Sequence, residues 1–181
     1  MNRLGARAHA VAAIVFTAIV LAGGLAPRAA AQTPDKSDVV LVFDFSASIL
    51  NDKTNRNRFG AALESIASRV DEISSDLVAG DTTVTLIQFA ARAVDANRCT
   101  DLKLLGSPST VGLFADCLRA IATAYRKGGT TALTKSIGID TNYVAAMQQA
   151  AKHLPADSER PALILFTDGR HDVAGVPASQ V

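Results

Sequence analysis

Three apolar runs along the chain predict β-strands. Residues 38–44 hold an unbroken apolar run that ends in a carboxylate, and residues 161–167 hold another that is followed by Asp168. Residues 83–90 are rich in β-branched side chains and alternate between apolar and polar at their start. The first and last runs are apolar at consecutive positions, which is typical of parallel strands covered on both faces.

A helical repeat of apolar positions follows the first predicted strand. Its side chains recur at steps of four and three and draw one stripe along a helix. The stripe consists of Phe59, Leu63, Ile66, Val70, Ile73 and Leu77. We expect a polar loop over residues 51–57 before this helix and an end at Gly80 and Asp81.

Two further helices are predicted in the second half of the chain. One covers residues 109–125 and ends at Gly128 and Gly129, and the other covers residues 142–154. The apolar side of the first is formed by Val111, Phe114, Leu118 and Ile121. Residues 91–107 are less regular and are interpreted as an edge strand with loops.

The alternation of strands and helices predicts an α/β fold, a doubly wound and mostly parallel sheet with helices on both faces. After Gly169 only twelve residues remain, and they are polar or small. A last strand that is apolar on both faces needs a neighbour and covering helices. We therefore expect the domain, residues 38–181, to be incomplete at its C-terminus and to lack its last strands.

The first 31 residues have the composition of a secretory signal peptide. Arg3 and Arg7 precede an apolar stretch over residues 10–25, and small residues at 29–31 suit cleavage after Ala31. The apolar stretch is short for a membrane anchor, which is the alternative. A short linker over residues 32–37 would then begin a secreted or periplasmic protein.

Charge and cysteine content narrow the classes of function. The leader holds three of the 18 basic residues and none of the 17 acidic ones, so the remainder has no broad basic surface for nucleic acid. In an exported chain Cys99 and Cys117 are expected to form one disulfide, worth about 3 kcal/mol by loop closure. Two buried thiols are the alternative.

Oxygen-bearing side chains gather at the ends of two predicted strands. Asp44 is followed at alternate positions by Ser46 and Ser48, and Asp168 ends the last strand. In an open parallel sheet, ligands bind at the carboxyl ends of the strands. Hard oxygen donors suit Mg²⁺, with Mn²⁺ or Ca²⁺ as substitutes, rather than zinc or copper. Taken singly, each residue is equally an ordinary loop hydroxyl or strand-end cap.

The run from Asp44 to Ser48 resembles the D-x-S-x-S motif of von Willebrand factor type A domains, the family that includes integrin I domains. The T-D-G sequence around Asp168 is similar to the family's later strand end, and Thr141 opens a T-N-Y-x-A-A helix like the family's threonine motif. Thr130, after two glycines, is the alternative for that threonine. The resemblance covers roughly residues 38–170 and implies a Rossmann-like fold.

The resemblance also implies roles for these residues. Ser46 and Ser48 would ligate the metal directly, and Thr141 would do so in a ligand-bound state. Asp44 and Asp168 would act directly or through water. A carboxylate from a protein or another extracytoplasmic partner would fill the open position, so the expected function is metal-dependent binding of the adhesion type and not catalysis.

Two other functions are weighed against this one. A phosphatase-like hydrolase with an aspartyl nucleophile would need a second Asp two residues after Asp44, where this chain has Ser46, and no G-x-S-x-G sequence exists for a serine hydrolase. The second alternative is a scaffold domain of a larger exported protein, which would have the same fold but bind no metal ion. His171 and Asp172 are interpreted as a polar loop at the rim of the site.

Overall fold

The computed structural model describes residues 35–169. The predicted leader, the first half of the predicted linker, and His171 and Asp172 lie outside the described residues. Between residues 35 and 169, no helix has the length and apolar character that a membrane crossing requires.

The described chain alternates strands and helices, as predicted. The strands are β1 (Ser37–Asp44), β2 (Thr82–Phe89), β3 (Ala93–Asp95), β4 (Leu102–Lys103) and β5 (Arg160–Phe166). The helices are α1 (Ala47–Leu50), α2 (Lys53–Glu72), α3 (Ser74–Ala79), α4 (Pro108–Lys127), α5 (Ala132–Ile137) and α6 (Tyr143–Ala151).

The sheet has the order β3-β2-β1-β5, and β4 also pairs with β2. β1 is parallel to both β2 and β5, whereas the short β3 and β4 are antiparallel to β2. The predicted α/β fold with a mostly parallel sheet is therefore confirmed. Because β1 lies between β2 and β5, the loops that leave β1 and β5 start side by side at one edge of the sheet.

The two faces of the sheet are covered unequally. On one face, Val39, Leu41 and Phe43 of β1 pack in a large core with α2 and α4. On the other face, Val40 and Val42 belong to a smaller core that α6 covers. The other fully buried members of that smaller core are Ile87, Phe89, Ala146 and Ala150.

The disulfide between Cys99 and Cys117 is present and confirms that prediction. It joins the loop between β3 and β4 to the middle of α4, across a sequence separation of 18. The irregular segment that carries β3 and β4 is thereby held against the larger core, in which both cysteines are buried.

The prediction of a polar loop over residues 51–57 is wrong, because α2 already begins at Lys53. Asp52 caps it: one carboxylate oxygen accepts the backbone N–H groups of Thr54 (2.7 Å) and Asn55 (3.1 Å). The polar residues of this segment lie on the exposed first turns of the helix. The apolar stripe is also divided, since α2 ends at Glu72 and α3 continues it after Ile73.

β5 differs from its prediction as well. Its apolar sequence predicted cover on both faces, yet Leu163 is 38% exposed. Within residues 35–169, β5 pairs with β1 and has no second strand on its other side. Several apolar side chains of β5 are therefore only partly buried.

Candidate metal centre

Asp44 ends the central strand and ties together the loops that follow β1 and β5. Its side chain is fully buried. Oδ1 accepts the backbone N–H of Ser46 at 2.8 Å, and Oδ2 accepts the hydroxyl of Thr167 at 2.7 Å. The carboxylate thus faces the cleft between the two loops, and each of its oxygens keeps a second lone pair for another ligand.

The hydroxyls of Ser46 and Ser48 lie 3.0 Å apart. Ser46 occupies the N-cap position of α1 but its side chain makes no capping bond, so its oxygen remains available. At this separation the two hydroxyls share a hydrogen bond, and both oxygens are close enough together to bind the same cation.

The charge at this edge of the sheet is unbalanced. Burial raises the pKa of Asp44 above its ordinary value, and the nearby carboxylate of Asp168 raises it further. The hydrogen bonds from Ser46 and Thr167 lower the pKa and offset part of this effect. Two carboxylates with neutral hydroxyls around them form an oxygen-only site that a divalent cation would stabilise.

Thr141 lies in the loop that approaches the D-x-S-x-S segment from α5. The residue two places before it, Ile139, accepts the N–H of Ala47 at 2.8 Å, and the residue after it, Asn142, donates its N–H to Ala90 at 2.9 Å. Thr141 is 1% exposed, so its side chain is buried in the loop that these two hydrogen bonds fix beside the end of β1.

The alternative threonine, Thr130, is exposed and lines a cleft beside Ala47. It lies between α4 and α5, whereas Thr141 directly precedes α6, whose N-cap is Asn142. Thr141 thus directly precedes the helix that covers the smaller core, and the choice of Thr141 as a ligand stays a prediction.

Three supporting residues were missed by the sequence analysis. The hydroxyl of Tyr125 donates to the backbone carbonyl of Asp44 at 2.7 Å, and its ring stacks on Phe45 with centroids 4.5 Å apart. Burial holds the pKa of Tyr125 well above its ordinary value, so the hydroxyl keeps the proton that it donates. The helical repeat gave a signal for it, since Tyr125 stands four residues after Ile121.

Thr167 and Tyr143 are the other two. Thr167 precedes Asp168 in the T-D-G sequence and donates to Asp44, and the hydroxyl of Tyr143 lies 2.9 Å from that of Thr167. Tyr143 stands in the first turn of α6. The helix after Thr141 is thus linked by hydrogen bonds to the loop after β5 and, through it, to the end of β1.

A second polar cluster lies at the opposite end of α6 and is not a metal site. His153 places its two ring nitrogens 3.0 Å from Asp95 and 3.1 Å from Asp101. The two carboxylates therefore face different nitrogens and do not converge on a common point. Across residues 35–169, no group of three or more His, Cys, Asp or Glu side chains is arranged to hold an ion.

Comparisons with known proteins agree with this architecture. A family model described as von Willebrand factor type A domain matches residues 39–171, more than half of the chain. No curated protein sequence matches the chain.

Several solved structures share the fold. The von Willebrand domain of the type V pili tip protein Mfa5 from Porphyromonas gingivalis has a TM-score of 0.52 at 16% identity, over 82% of this chain and 44% of that one. The pilus adhesin SpaC from Lactobacillus rhamnosus GG has a TM-score of 0.51 at 22% identity, and the match covers 77% of this chain and 16% of that one. The pilus adhesin RrgA from Streptococcus pneumoniae has a TM-score of 0.51 at 18% identity, and the match covers 76% of this chain and 21% of that one. The matched region spans less than half the length of each of these proteins.

Proposed function

We propose that this chain, which belongs to the von Willebrand factor type A domain family, is a binding module of the adhesion type that captures an acidic partner through a divalent cation. The ion would be Mg²⁺, with Mn²⁺ or Ca²⁺ as substitutes. Its ligands would be the hydroxyls of Ser46, Ser48 and Thr141 and the carboxylates of Asp44 and Asp168, the latter two directly or through water.

The observation that supports this proposal most strongly is the convergence on Asp44. Its two carboxylate oxygens accept hydrogen bonds from the loop after β1 and from the loop after β5, while the Ser46 and Ser48 hydroxyls stand 3.0 Å apart beside it. Local structure holds the donors in place before any ion arrives, which lowers the cost of ordering them.

The coordination sphere of the ion, and not its charge, leaves room for a partner. Two carboxylates neutralise a divalent ion formally, and where a carboxylate acts through water, part of the coordination sphere is left to exchangeable water. An Asp or Glu side chain of a partner can replace such a water and bond to the ion directly. The proposed chemistry is therefore exchange of a ligand at the metal, and no covalent bond of the partner is broken.

The proposed setting is outside the cytoplasm, either secreted or periplasmic. The leader-like composition of residues 1–31 and the disulfide between Cys99 and Cys117 support it, because disulfides persist in oxidising compartments. Three structures of similar fold are those of a pilus tip protein and two pilus adhesins, which supports a role in adhesion.

Calorimetric titration of the metal-free chain with Mg²⁺ and Mn²⁺ tests the proposal. We expect one ion per chain and no binding after Asp44→Asn. Asp52→Asn is the matched control, because Asp52 caps α2 on the exposed surface and Asn caps equally well. Absence of binding to the folded wild-type chain at millimolar Mg²⁺ would contradict the proposal and favour the scaffold alternative.

A further inference from the structure

A cleft of about 330 Å³ opens beside the loop that carries Ser46 and Ser48. Ala47 and Leu50 of α1 form one side of it, and residues 129–139, which include α5, form the other. Ala47 lies between two of the proposed metal ligands in sequence. The cleft therefore adjoins the loop that carries two of the proposed ligands.

The walls of the cleft are held by hydrogen bonds within the protein. Thr131 and Thr134 cap α5 reciprocally: the hydroxyl of each accepts the backbone N–H of the other, at 3.2 and 2.8 Å. The carbonyl of Ile137 accepts the N–H of Arg92 at 2.8 Å, and that of Ile139 accepts the N–H of Ala47 at 2.8 Å. The cleft is thus preformed and its far wall is tied to the metal loop.

The turn that enters the far wall depends on glycine. Gly129 has a φ of +70°, a left-handed conformation that other residues adopt at a cost, and it contributes to the lining. A Cβ at Gly129 would meet no heavy atom within 4 Å, so the backbone there borders open space.

The lining combines apolar surface with one positive charge. Ile139 is 59% exposed and presents its apolar side chain to the cleft. Lys135 is exposed and makes no ion pair with any residue in the 35–169 range. Among the described residues, 35–169, no acidic side chain lines the cleft; Asp140 follows Ile139 in sequence but lies outside the lining.

From this combination we propose that the cleft is a second anchor for the acidic partner and selects an extended protein segment. In such a segment an aliphatic side chain two residues after the metal-bound Asp or Glu would lie against the exposed Ile139. A second acidic side chain would pair with Lys135. Residues i and i+2 of an extended segment point the same way about 7 Å apart, which suits two adjacent binding points. This inference rests on the proposed metal-dependent function and names the class of partner for it.

Two labelled hexapeptides and the full chain test the inference. Amidated Gly-Asp-Gly-Leu-Gly-Glu carries the aliphatic group and the second acidic group on the same side of an extended segment as the Asp, and amidated Gly-Asp-Gly-Ser-Gly-Gln carries only the metal-binding Asp. With Mg²⁺ present we expect the first peptide to bind about tenfold more tightly by fluorescence anisotropy, because burial of a Leu side chain and one exposed ion pair together supply about that factor. The preference should disappear in the double variant Lys135→Gln, Ile139→Ser.

Lys103→Gln is the matched control, since Lys103 is an exposed lysine on β4 that does not line the cleft. It should keep the full preference. Equal binding of the two peptides, binding of neither to the Mg²⁺-loaded chain, or a preference that persists in the double variant would overturn the inference. Mg²⁺ affinity is measured separately by calorimetry for every variant. A chain that binds no Mg²⁺ therefore reveals failure of the proposed function, whereas normal Mg²⁺ binding without peptide selectivity reveals failure of this inference only.

Discussion

The two faces of the sheet support the candidate metal centre in different ways. On the larger face, α2 and α4 each run for 20 residues, and the last turn of α4 places Tyr125 against Phe45 and the carbonyl of Asp44. On the smaller face, α6 runs for nine residues and buries only alanines, Ala146 and Ala150. The loop after β1 thus packs against a large core that contains aromatic side chains, whereas the helix that follows Thr141 contributes only small buried side chains to a smaller core.

This difference assigns separate tasks to the two halves. The D-x-S-x-S loop is fixed by packing of the kind that dominates stability. The half with Thr141, Thr167 and Asp168 is joined to it by hydrogen bonds through Tyr143. We expect changes on the larger face to act mainly on the free energy of unfolding and changes on the smaller face to act mainly on metal affinity.

The largest effect is expected from Tyr125→Ala. Removal of a fully buried aromatic side chain costs about 3–5 kcal/mol of unfolding free energy, and the carbonyl of Asp44 would lose its partner as well. Urea unfolding followed by circular dichroism measures the loss. A cost below about 1 kcal/mol would show that the larger face is not the main source of stability.

Loss of the disulfide should come next. Cys99→Ser with Cys117→Ser opens a loop closed across a sequence separation of 18 and is expected to cost about 3 kcal/mol, because the unfolded chain gains conformational entropy. The bond anchors β3 and β4 to the larger core and lies away from the metal loops. The variant should therefore unfold at lower urea while Mg²⁺ affinity, measured by calorimetry in the absence of urea, stays unchanged; a parallel loss of affinity would contradict the separation of tasks.

Much of this architecture was predictable because it follows from patterns local to the sequence. β1 and β5 carry continuous apolar runs, β2 is rich in β-branched residues, and Cys99 with Cys117 was expected to pair in an exported chain. The start of α2 was missed because its first turns are polar and exposed, although Asp52 is a recognisable N-cap.

The supporting residues of the site are a different case. Tyr125 and Asp44 are 81 residues apart, and Thr167 and Asp44 are 123 apart. Such contacts depend on how the helices and strands pack. The helical repeat indicates that Tyr125 is buried, but no pattern along the chain indicates which group its hydroxyl contacts. Candidate ligands could therefore be predicted from motif spacing, whereas the contacts that orient them could not.

Asp44→Asn isolates the contribution of charge to the site. The amide can still accept from Ser46 and can donate to the Thr167 hydroxyl, so the fold should persist. The folded-state pKa of Asp44 is raised, so the unfolded state releases its proton first, and the metal-free wild type should lose stability as pH rises through the unfolded value and up to the folded one. The Asp44→Asn variant should lack this dependence, because an amide does not titrate.

Mg²⁺ should make the wild type gain more stability than the Asp44→Asn variant. At a concentration 100 times its dissociation constant, a bound ion stabilises the wild type by about 2.7 kcal/mol, and Asp44→Asn should gain none of this. Thermal unfolding with and without Mg²⁺ from pH 4 to pH 8 measures both effects. Equal stabilisation of the two proteins by Mg²⁺ would show that the ion binds elsewhere.

The smallest effect on stability, and the sharpest test of the comparison, is the removal of one hydroxyl from each face. Tyr143→Phe loses the bond to Thr167 at a part-exposed position and should cost about 0.5–1.5 kcal/mol or less, while Mg²⁺ affinity falls severalfold because Thr167 no longer orients Asp44. Tyr125→Phe keeps its stacking on Phe45 but leaves the buried carbonyl of Asp44 unpaired, which should cost about 1–3 kcal/mol with a smaller change in affinity. Urea unfolding measures the loss of stability of each variant and calorimetry its loss of Mg²⁺ affinity, which together give a ratio of the two losses for each variant. If the ratio is the same for both variants, the two faces do not divide these tasks. Each deleted hydroxyl would then act through the fold as a whole.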